Sequence, residues 1–302
     1  MAAPNYCILN NRAVLAVSGD DRVSFLQGLV SNDVERASPA QAIWAAFLTP
    51  QGKFLHEFMI VDHGERLLLD CEAERREDLL TRLKRFRLRS KVDITVDDSL
   101  AVAVGWGSTG PSMLGLPDQL GGANQIKTGT LFRDPRLMSA GARCIATTDT
   151  IKSVFEDAGF TEADASAYDA HRIQHGLPDG SRDLQVDKAL LLENGFEELG
   201  GVDFQKGCYI GQELTARTHY RALIKKRLIP VAIDGDAPNP GTSLSVDGKE
   251  AGEMKTSAGG YGLALVRLAQ WRASENGTLS AGDTRLKPEP PPWMVLPLDP
   301  EA

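Results

Sequence analysis

The stretch Lys206-Gly207-Cys208-Tyr209-Ile210-Gly211-Gln212-Glu213 combines a thiol, two glycines and several polar side chains in eight residues. Glycine permits backbone angles and close approaches that other residues do not, so Gly207 and Gly211 predict a sharp turn around the thiol. If Lys206 folds back beside Cys208, its charge favours the thiolate, the form that acts as a nucleophile or a metal ligand. The alternative is a structural cysteine buried in a glycine-bounded turn.

This stretch resembles the signature of the YgfZ family, which comprises folate-binding proteins of iron-sulfur enzyme maintenance related to the T-protein of the glycine cleavage system. Other segments resemble landmarks of that family and occur in its order, so the resemblance covers nearly the whole chain. These segments are residues 12–21, 25–28, 48–55, 134–136 and 262–267.

The resemblance implies an α+β fold of three domains, arranged as a ring around a central opening and completed by a small C-terminal β-barrel. Residues 1–38 and 126–225 are expected to form a discontinuous folate-binding domain 1. Residues 39–125 are expected to form an inserted α+β domain 2, and residues 226–302 the barrel. Turn-rich composition at 107–129 and a change of character after Lys226 are compatible with these limits.

The composition is that of a globular protein with room for two or three domains, because the chain has 302 residues, of which 42% are hydrophobic and 25% charged. No run approaches the ~18 apolar residues of a membrane-spanning helix. The first residues lack the basic and apolar regions of a secretory signal. We therefore expect a monomer in the cytoplasm, or in the mitochondrial matrix if the source is eukaryotic, without membrane association.

The cysteines at 7, 71, 144 and 208 form no Cys-x-x-Cys pair, which argues against a local zinc site or a resident four-thiolate cluster. We expect Cys7, Cys71 and Cys144 to be buried small residues. The net charge of −8 disfavours general nucleic-acid binding. Two basic runs, 82–91 and 217–227, either contact an anion or form solvated faces.

Local patterns predict most of the secondary structure. A helix is expected after Ser18 and Asp20, ending near Asn32, and residues 107–129 are expected to be a loop or an abbreviated element. Asp247-Gly248 predicts a hairpin turn, and the proline-rich residues 288–297 an extended surface tail. Further strands are expected at 12–18, 43–48, 54–61, 66–70, 92–96, 101–105, 227–234, 243–246, 250–255 and 261–267, and further helices at 74–87, 149–159 and 163–175.

Two positions depart from what the resemblance implies. In the T-protein and many relatives, a carboxylate at the position of Gln174 binds the amino-pyrimidine edge of the pterin by accepting two N–H bonds. An amide accepts only one of them and must turn its NH2 group toward the second donor. His56 occupies the position of the T-protein's aminomethyl-transfer aspartate, so glycine-cleavage activity is not expected. The alternatives are an ordinary polar residue on a helix for Gln174 and an exposed strand residue for His56.

The resemblance makes Cys208 the candidate catalytic group, which either attacks a one-carbon adduct, ligates iron or forms a mixed disulfide. One thiolate cannot hold a cluster alone, so any cluster contact is shared with a partner. Arg217, His219 and Arg221 alternate as residues on one face of a strand do; they either receive folate's glutamate tail or form a solvent-facing strand edge. The candidate folate contacts are Gln174, Lys206, Tyr209, Gln212, Arg217 and Arg221.

The resulting hypothesis is a tetrahydrofolate-binding protein that assists assembly or repair of iron-sulfur enzymes, tRNA-modifying enzymes among them, with Cys208 as its functional centre. Its expected partners are client enzymes or cluster-assembly proteins. One alternative is a folate-dependent one-carbon transferase or demethylase that acts on a small amine. The other is an adaptor that docks on a cluster-assembly protein or a tRNA-modifying enzyme through the basic runs.

Overall fold

The computed structural model describes residues 3–107, 110–221 and 224–297, which divide into two compact units. Unit 1 comprises the described residues within Met1–Pro50, Leu55–Ala165 and Leu199–Gln212. Unit 2 comprises those within Gln51–Phe54, Ser166–Glu198 and Glu213–Ala302. The limits of the three expected domains stay a prediction.

Unit 1 contains two β-sheets and four short helices. Its strands are β1 (Asn5–Ile8), β2 (Arg12–Ser18), β3 (Ile43–Leu48), β4 (Phe54–His63, of which Phe54 belongs to unit 2), β5 (Arg66–Glu72), β6 (Asp93–Val96), β7 (Ala101–Trp106), β8 (Ala123–Ile126), β9 (Gly129–Arg133), β10 (Ala142–Ala146) and β11 (Thr161–Glu162). Its helices are α1 (Arg22–Gln27), α2 (Arg76–Phe86), α3 (Gly110–Met113) and α4 (Thr148–Asp157), and its 3-10 turns are Val34–Arg36, Ala73–Arg75 and Met138–Ala140.

The two sheets have the strand orders β3-β4-β5-β2-β6 and β11-β1-β7-β10-β9-β8. In the second sheet, β1 pairs parallel with β11 and antiparallel with β7. The core beside this sheet is aromatic, because Phe155 of α4 stacks on Tyr6 at 5.0 Å between ring centroids. Gly105 makes room for that ring, since a Cβ atom there would lie 2.4 Å from a ring carbon of Phe155.

A charge network, which we define as Arg12, Glu57, Asp70, Asp134, Arg136 and Arg143, is buried in unit 1. Asp70 Oδ1 accepts from Arg12 Nε at 2.6 Å and Oδ2 from an Arg143 terminal nitrogen at 2.5 Å. Arg143 Nε also donates to Asp134 Oδ2 at 3.1 Å, and Arg136 pairs with the same carboxylate. Three cations therefore balance three carboxylates, as buried charges require.

Unit 2 is built on a closed barrel with the strand order β12-β15-β14-β13-β16-β17. The strands are β12 (Lys226–Asp234), β13 (Ser243–Val246), β14 (Lys249–Ala258), β15 (Tyr261–Arg267), β16 (Leu279–Ala281) and β17 (Thr284–Pro288). The helices are α5 (Ala165–Gln174, of which Ala165 belongs to unit 1), α6 (Gly180–Asp183), α7 (Gln212–Tyr220, of which Gln212 belongs to unit 1) and α8 (Leu268–Arg272), with a 3-10 turn at Leu192–Asn194. The predicted hairpin is confirmed, because Asp247 and Gly248 have φ values of +48° and +74° between β13 and β14.

Helix α5 is fixed to the barrel by Arg172, which is 1% exposed. Its guanidinium donates to Asp169 Oδ1 at 2.6 Å, to Asp183 Oδ2 at 2.8 Å and to Thr256 Oγ1 of β14 at 2.9 Å. Ile173 packs with Leu228 and Leu263 of the barrel. Since Gln174 follows these anchors directly, the position of its backbone is set by the barrel.

Several local predictions were wrong. Strand β10 was not predicted, whereas residues 107–129 contain α3 and β8, of four residues each, which agrees with the expected loop or abbreviated element. Helix α1 ends at Gln27, and Asp21 precedes it without a side-chain cap. The tail does not simply lie on the surface, because Trp293 Nε1 donates to the His175 carbonyl at 2.9 Å and Met294 joins the barrel core.

His56 is a buried residue of β4, only 3% exposed, so the alternative of an exposed strand position was wrong. Its Nε2 atom lies 2.9 Å from Asp78 Oδ2, which also accepts from Arg75 and Arg82. Burial lowers the pKa of His56 to about 4, with Arg75 acting in the same direction and Asp78 opposing it. His56 is therefore neutral near pH 7.

His56→Gln is expected to flatten the pH dependence of the free energy of unfolding below pH 6.5. The pKa of His56 is about 4 in the folded chain and 6.5 ordinarily, so the unfolded chain binds the proton first and stability falls as the pH drops through this window. The full loss corresponds to about 3 kcal/mol. Urea unfolding between pH 4 and 7 measures it, with His63→Gln as the control; an unchanged slope in His56→Gln would contradict the assignment.

Candidate functional site

The Cys208 segment, residues 200–212, has no regular secondary structure before Gln212 but is fixed to unit 1 along its length. Ser31 Oγ donates to the Gly201 carbonyl at 2.6 Å, and Asn32 Nδ2 donates to the Gly200 carbonyl at 2.8 Å. Further along, the Ile210 amide donates to the Gly28 carbonyl at 3.3 Å. Hydrogen bonds to backbone carbonyls, two of them from side chains, thus position this segment in place of the hydrogen-bond ladder of a helix or strand.

Lys206 anchors the centre of the Cys208 segment and is 5% exposed. Its ammonium donates to the carbonyls of Val30 at 2.8 Å and Asn32 at 2.5 Å, and lies 5.4 Å from the centre of the Tyr209 ring. Burial lowers the pKa of Lys206 to about 8, while Asp33 and nearby carboxylates oppose the shift. These bonds hold the ammonium inside unit 1, so the observed role of Lys206 is to fix the segment.

Cys208 is exposed, whereas Cys7, Cys71 and Cys144 are buried, as predicted for those three. Burial raises the pKa of Cys71 and of Cys144 to about 12. Gly211 has a φ of +84°, which supports the predicted turn after the thiol. Among the cysteines of the described chain, Cys208 is therefore the one that reagents in solution reach without local unfolding.

Thiol labelling is expected to separate Cys208 from the other three cysteines. A water-soluble maleimide modifies one thiol per native chain rapidly, because the buried three require an opening of the structure first. Mass spectrometry after a short pulse measures the number and position of the modified residues, and labelling in denaturant gives the total of four. Fast modification at any residue other than Cys208, or none, would contradict the structure.

Tyr209 and Gln212 flank the thiol but serve partly to shape the segment. Tyr209 is 9% exposed, and its backbone amide donates to Gln212 Oε1 at 3.1 Å. Gln212 is partly exposed and opens α7, and Glu213 is exposed. The structure therefore joins Lys206 to Tyr209 and Tyr209 to Gln212 within the segment that carries Cys208.

Arg217, His219 and Arg221 do not alternate along a strand, and that prediction was wrong. Residues 212–220 form α7, in which Thr215 and Thr218 are buried three residues apart. Arg217 and Arg221 are exposed and one turn apart, so they share a side of the helix. His219 points elsewhere, with Nδ1 2.9 Å from Glu197 Oε1.

The structure places the candidate residues in both units. Lys206, Cys208, Tyr209 and Gln212 belong to unit 1, and Gln174, Arg217 and Arg221 to unit 2. Gln174 is exposed at the end of α5. Ser31 and Asn32, which hold the Cys208 segment, were not singled out from the sequence. The available signal was the polar run Ser31-Asn32-Asp33 shortly after α1.

Among residues 3–107, 110–221 and 224–297, no three side chains of His, Cys, Asp or Glu are grouped to hold a metal ion. None of the helices in these ranges is both long and apolar enough to cross a membrane.

Comparison with known proteins gives one match for the barrel and others for nearly the whole chain. Residues 225–296 match the family model of the CAF17 C-terminal beta-barrel domain. The human iron-sulfur cluster assembly factor IBA57, mitochondrial, is 35% identical over 280 residues, which cover 85% of this chain and 76% of the human protein. The chain belongs to the IBA57 family of iron-sulfur cluster assembly factors. An IBA57 homolog from Mycosarcoma maydis, also named mitochondrial, is 31% identical and covers 97% of this chain and 80% of its own length.

The fold extends beyond the IBA57 family. The crystal structure of the glycine cleavage system aminomethyltransferase T from Bartonella henselae matches with a TM-score of 0.78, covering 97% of this chain and 87% of its own at 14% identity. Such a likeness shows the fold alone. The predicted fold class, mixed α and β with a closed C-terminal barrel, is confirmed, and the YgfZ resemblance holds in its coarser part: an iron-sulfur assembly factor on the aminomethyltransferase fold.

Proposed function

We propose that this chain assists the assembly or repair of iron-sulfur clusters and that the thiol of Cys208 is the group through which it acts. Membership of the IBA57 family supports the first part of the proposal. The observation that carries the second is an exposed thiol on an irregular segment that buried bonds hold in place. Reactive cysteines combine accessibility with fixed geometry, whereas structural cysteines are buried.

The proposed role of the thiolate is to ligate iron transiently while a cluster is built or transferred. Iron is the cargo, and Cys208 supplies one soft ligand. Because one thiolate holds no cluster by itself, the remaining ligands belong to a partner, either a cluster-assembly protein or a client enzyme such as a tRNA-modifying enzyme. The relatives are named as mitochondrial, which agrees with the mitochondrial location expected for a eukaryotic source.

The test of the assembly role is rescue of cells that lack their own IBA57. The chain, carried by a mitochondrial leader, is expected to restore the activity of cluster-dependent enzymes. An empty vector and an unrelated protein with the same leader are the controls. If the chain is folded and present in mitochondria but cluster-dependent activity stays at the level of the empty vector, the assembly role is wrong.

We also propose that tetrahydrofolate binds with Gln174 at the pterin and with Arg217 and Arg221 at the glutamate tail. All three side chains are exposed. The two arginines share one side of α7, so this pair suits the carboxylates of a ligand. Lys206 is bonded to backbone carbonyls. Its proposed contribution, with Tyr209 and Gln212, is to position the Cys208 segment.

Isothermal titration with tetrahydrofolate tests the ligand proposal. Gln174→Ala is expected to weaken binding about tenfold, because it removes the amide that would face the pterin edge. Gln185→Ala, another exposed glutamine of unit 2, is the matched control. Equal affinity of wild type and Gln174→Ala would contradict the role of Gln174, and absence of binding by wild type would overturn the ligand proposal.

A one-carbon transferase is not proposed. His56 stands where the resemblance expects an aspartate, and it is buried against Asp78 and neutral near pH 7. A neutral imidazole supplies no fixed negative charge beside a developing iminium ion.

A further inference from the structure

A basic loop, which we define as residues 84–91, comprises the last three residues of α2 and the five residues after it. It contains five cations and no acidic residue, in a chain whose net charge is −8, so the other residues together carry −13. All of its side chains are exposed except the half-buried Ser90. The cations are Lys84, Arg85, Arg87, Arg89 and Lys91.

Most charges of the basic loop have no ion-pair partner among the residues that the structure describes. Among the described residues, Lys84, Arg85, Arg87 and Arg89 form no ion pair, whereas Arg82, one turn earlier, pairs with Asp78 at 2.9 Å. Lys91 lies 3.8 Å from Asp20, but both side chains are more than three-quarters exposed, so that pair is weak. The loop therefore directs a concentrated positive potential toward solvent.

The basic loop also exposes an apolar side chain, Leu88, whose backbone has a conformation that leucine rarely adopts. Leu88 is 88% exposed and has a φ of +43°, in the left-handed region. Phe86 is 38% exposed, and its ring contacts Phe47 edge-on at 5.9 Å. Leu88 gains no burial in return for its backbone strain, and such strain is concentrated at functional positions.

The conformation of the basic loop is fixed by its neighbours. Asp21 Oδ2 accepts from the Lys91 amide at 2.7 Å, and the Ser90 amide donates to the Arg87 carbonyl at 2.7 Å. Gly19 allows close packing, since a Cβ atom there would lie 2.1 Å from the Lys91 carbonyl oxygen. A shallow open depression beside Leu88 is lined by Asp21, Arg89 and Ser90. The side chains are thus presented from a preformed turn, which lowers the entropy cost of binding.

We propose that the basic loop docks an acidic protein segment that carries an apolar side chain, with Leu88 as the apolar anchor. The inference rests on the proposed function, since an assembly factor must meet other proteins. A protein segment fits better than a nucleic acid, because the rest of the chain repels a long polyanion and the loop pairs its charges with an aliphatic anchor. Mixed apolar and charged contacts are typical of protein interfaces.

Fluorescence anisotropy with a labelled peptide of alternating glutamate and leucine tests this surface. The triple variant Arg85→Glu, Arg87→Glu, Arg89→Glu is expected to weaken binding by at least about tenfold. Leu88→Gly is expected to weaken it about fivefold while the melting temperature stays equal or rises, because glycine relieves the strain. Lys127→Glu combined with Lys152→Glu, exposed lysines elsewhere in unit 1, is the control and should bind as wild type.

Several outcomes would overturn this inference. One is that an all-glutamate peptide binds as tightly as the mixed peptide. Another is that single-stranded RNA or phosphatidylserine vesicles bind more tightly than the mixed peptide and that the triple variant no longer binds them. Rescue of cells lacking IBA57 separates the failures. If wild type rescues and the triple variant does not, docking is supported. If both rescue, docking is wrong and the assembly role stands, whereas failure of wild type contradicts the assembly role itself.

Discussion

Asp70→Asn is expected to lower the free energy of unfolding by about 3–5 kcal/mol, the usual cost of removing one partner from a buried ion pair. The carboxylate accepts from Arg12 on one oxygen and from Arg143 on the other. The NH2 group of an asparagine would face one of these guanidiniums. Because both groups are hydrogen-bond donors, one of the two hydrogen bonds would be lost. The substitution also leaves the charge network with three cations and two carboxylates, away from water.

Urea unfolding at neutral pH measures the effect of Asp70→Asn. The control is Asp98→Asn, which removes the same charge from an exposed pair with Arg76, where the side chains are 74% and 37% exposed. Solvent screens that pair, so little change is expected there. A loss in Asp70→Asn no larger than in Asp98→Asn would show that the buried network contributes no more than a surface pair.

The features that were predicted correctly are encoded locally. The turn Asp247-Gly248 requires two positive φ angles, and these residue types adopt them at low cost, so the hairpin could be read from two positions. Likewise the apolar runs of β3 and β5 and the amphipathic pattern of α2 are properties of short windows.

The features that were missed depend on residues far apart in sequence. Arg12 and Asp70 are 58 positions apart, and Arg143 and Asp70 are 73 apart, so no local pattern identifies the charge network. Helix α7 was predicted as a strand because Arg217, His219 and Arg221 stand at alternate positions. The burial of Thr215 and Thr218, which decides the helix, depends on tertiary packing.

The candidate site was located from its motif, but its chemistry was not. The glycines around Cys208 were compatible with both a buried and an exposed thiol, and the distinction comes from the packing of residues 28–32 against the segment. The ammonium of Lys206 has its partners about 175 positions earlier in the chain. Those carbonyls belong to a loop that no local pattern linked to the motif.

Cys208→Ala is expected to abolish rescue of cluster-dependent activity while the chain stays folded. The side chain is exposed, so its loss removes almost no buried apolar contact and changes stability little. Alanine offers no soft ligand and no nucleophile, and the other three thiols are buried. The proposed chemistry therefore has no replacement within the described chain.

The most direct test of the central claim uses IBA57-deficient cells that carry wild type, Cys208→Ala or Cys144→Ala. The measured quantity is the activity of cluster-dependent enzymes divided by the amount of the folded wild-type or variant chain. Cys144→Ala is the matched control, since it removes the same atom from a buried position. The account predicts full rescue by wild type and by Cys144→Ala, and activity at the vector level for Cys208→Ala. Rescue by Cys208→Ala equal to that by wild type would contradict it.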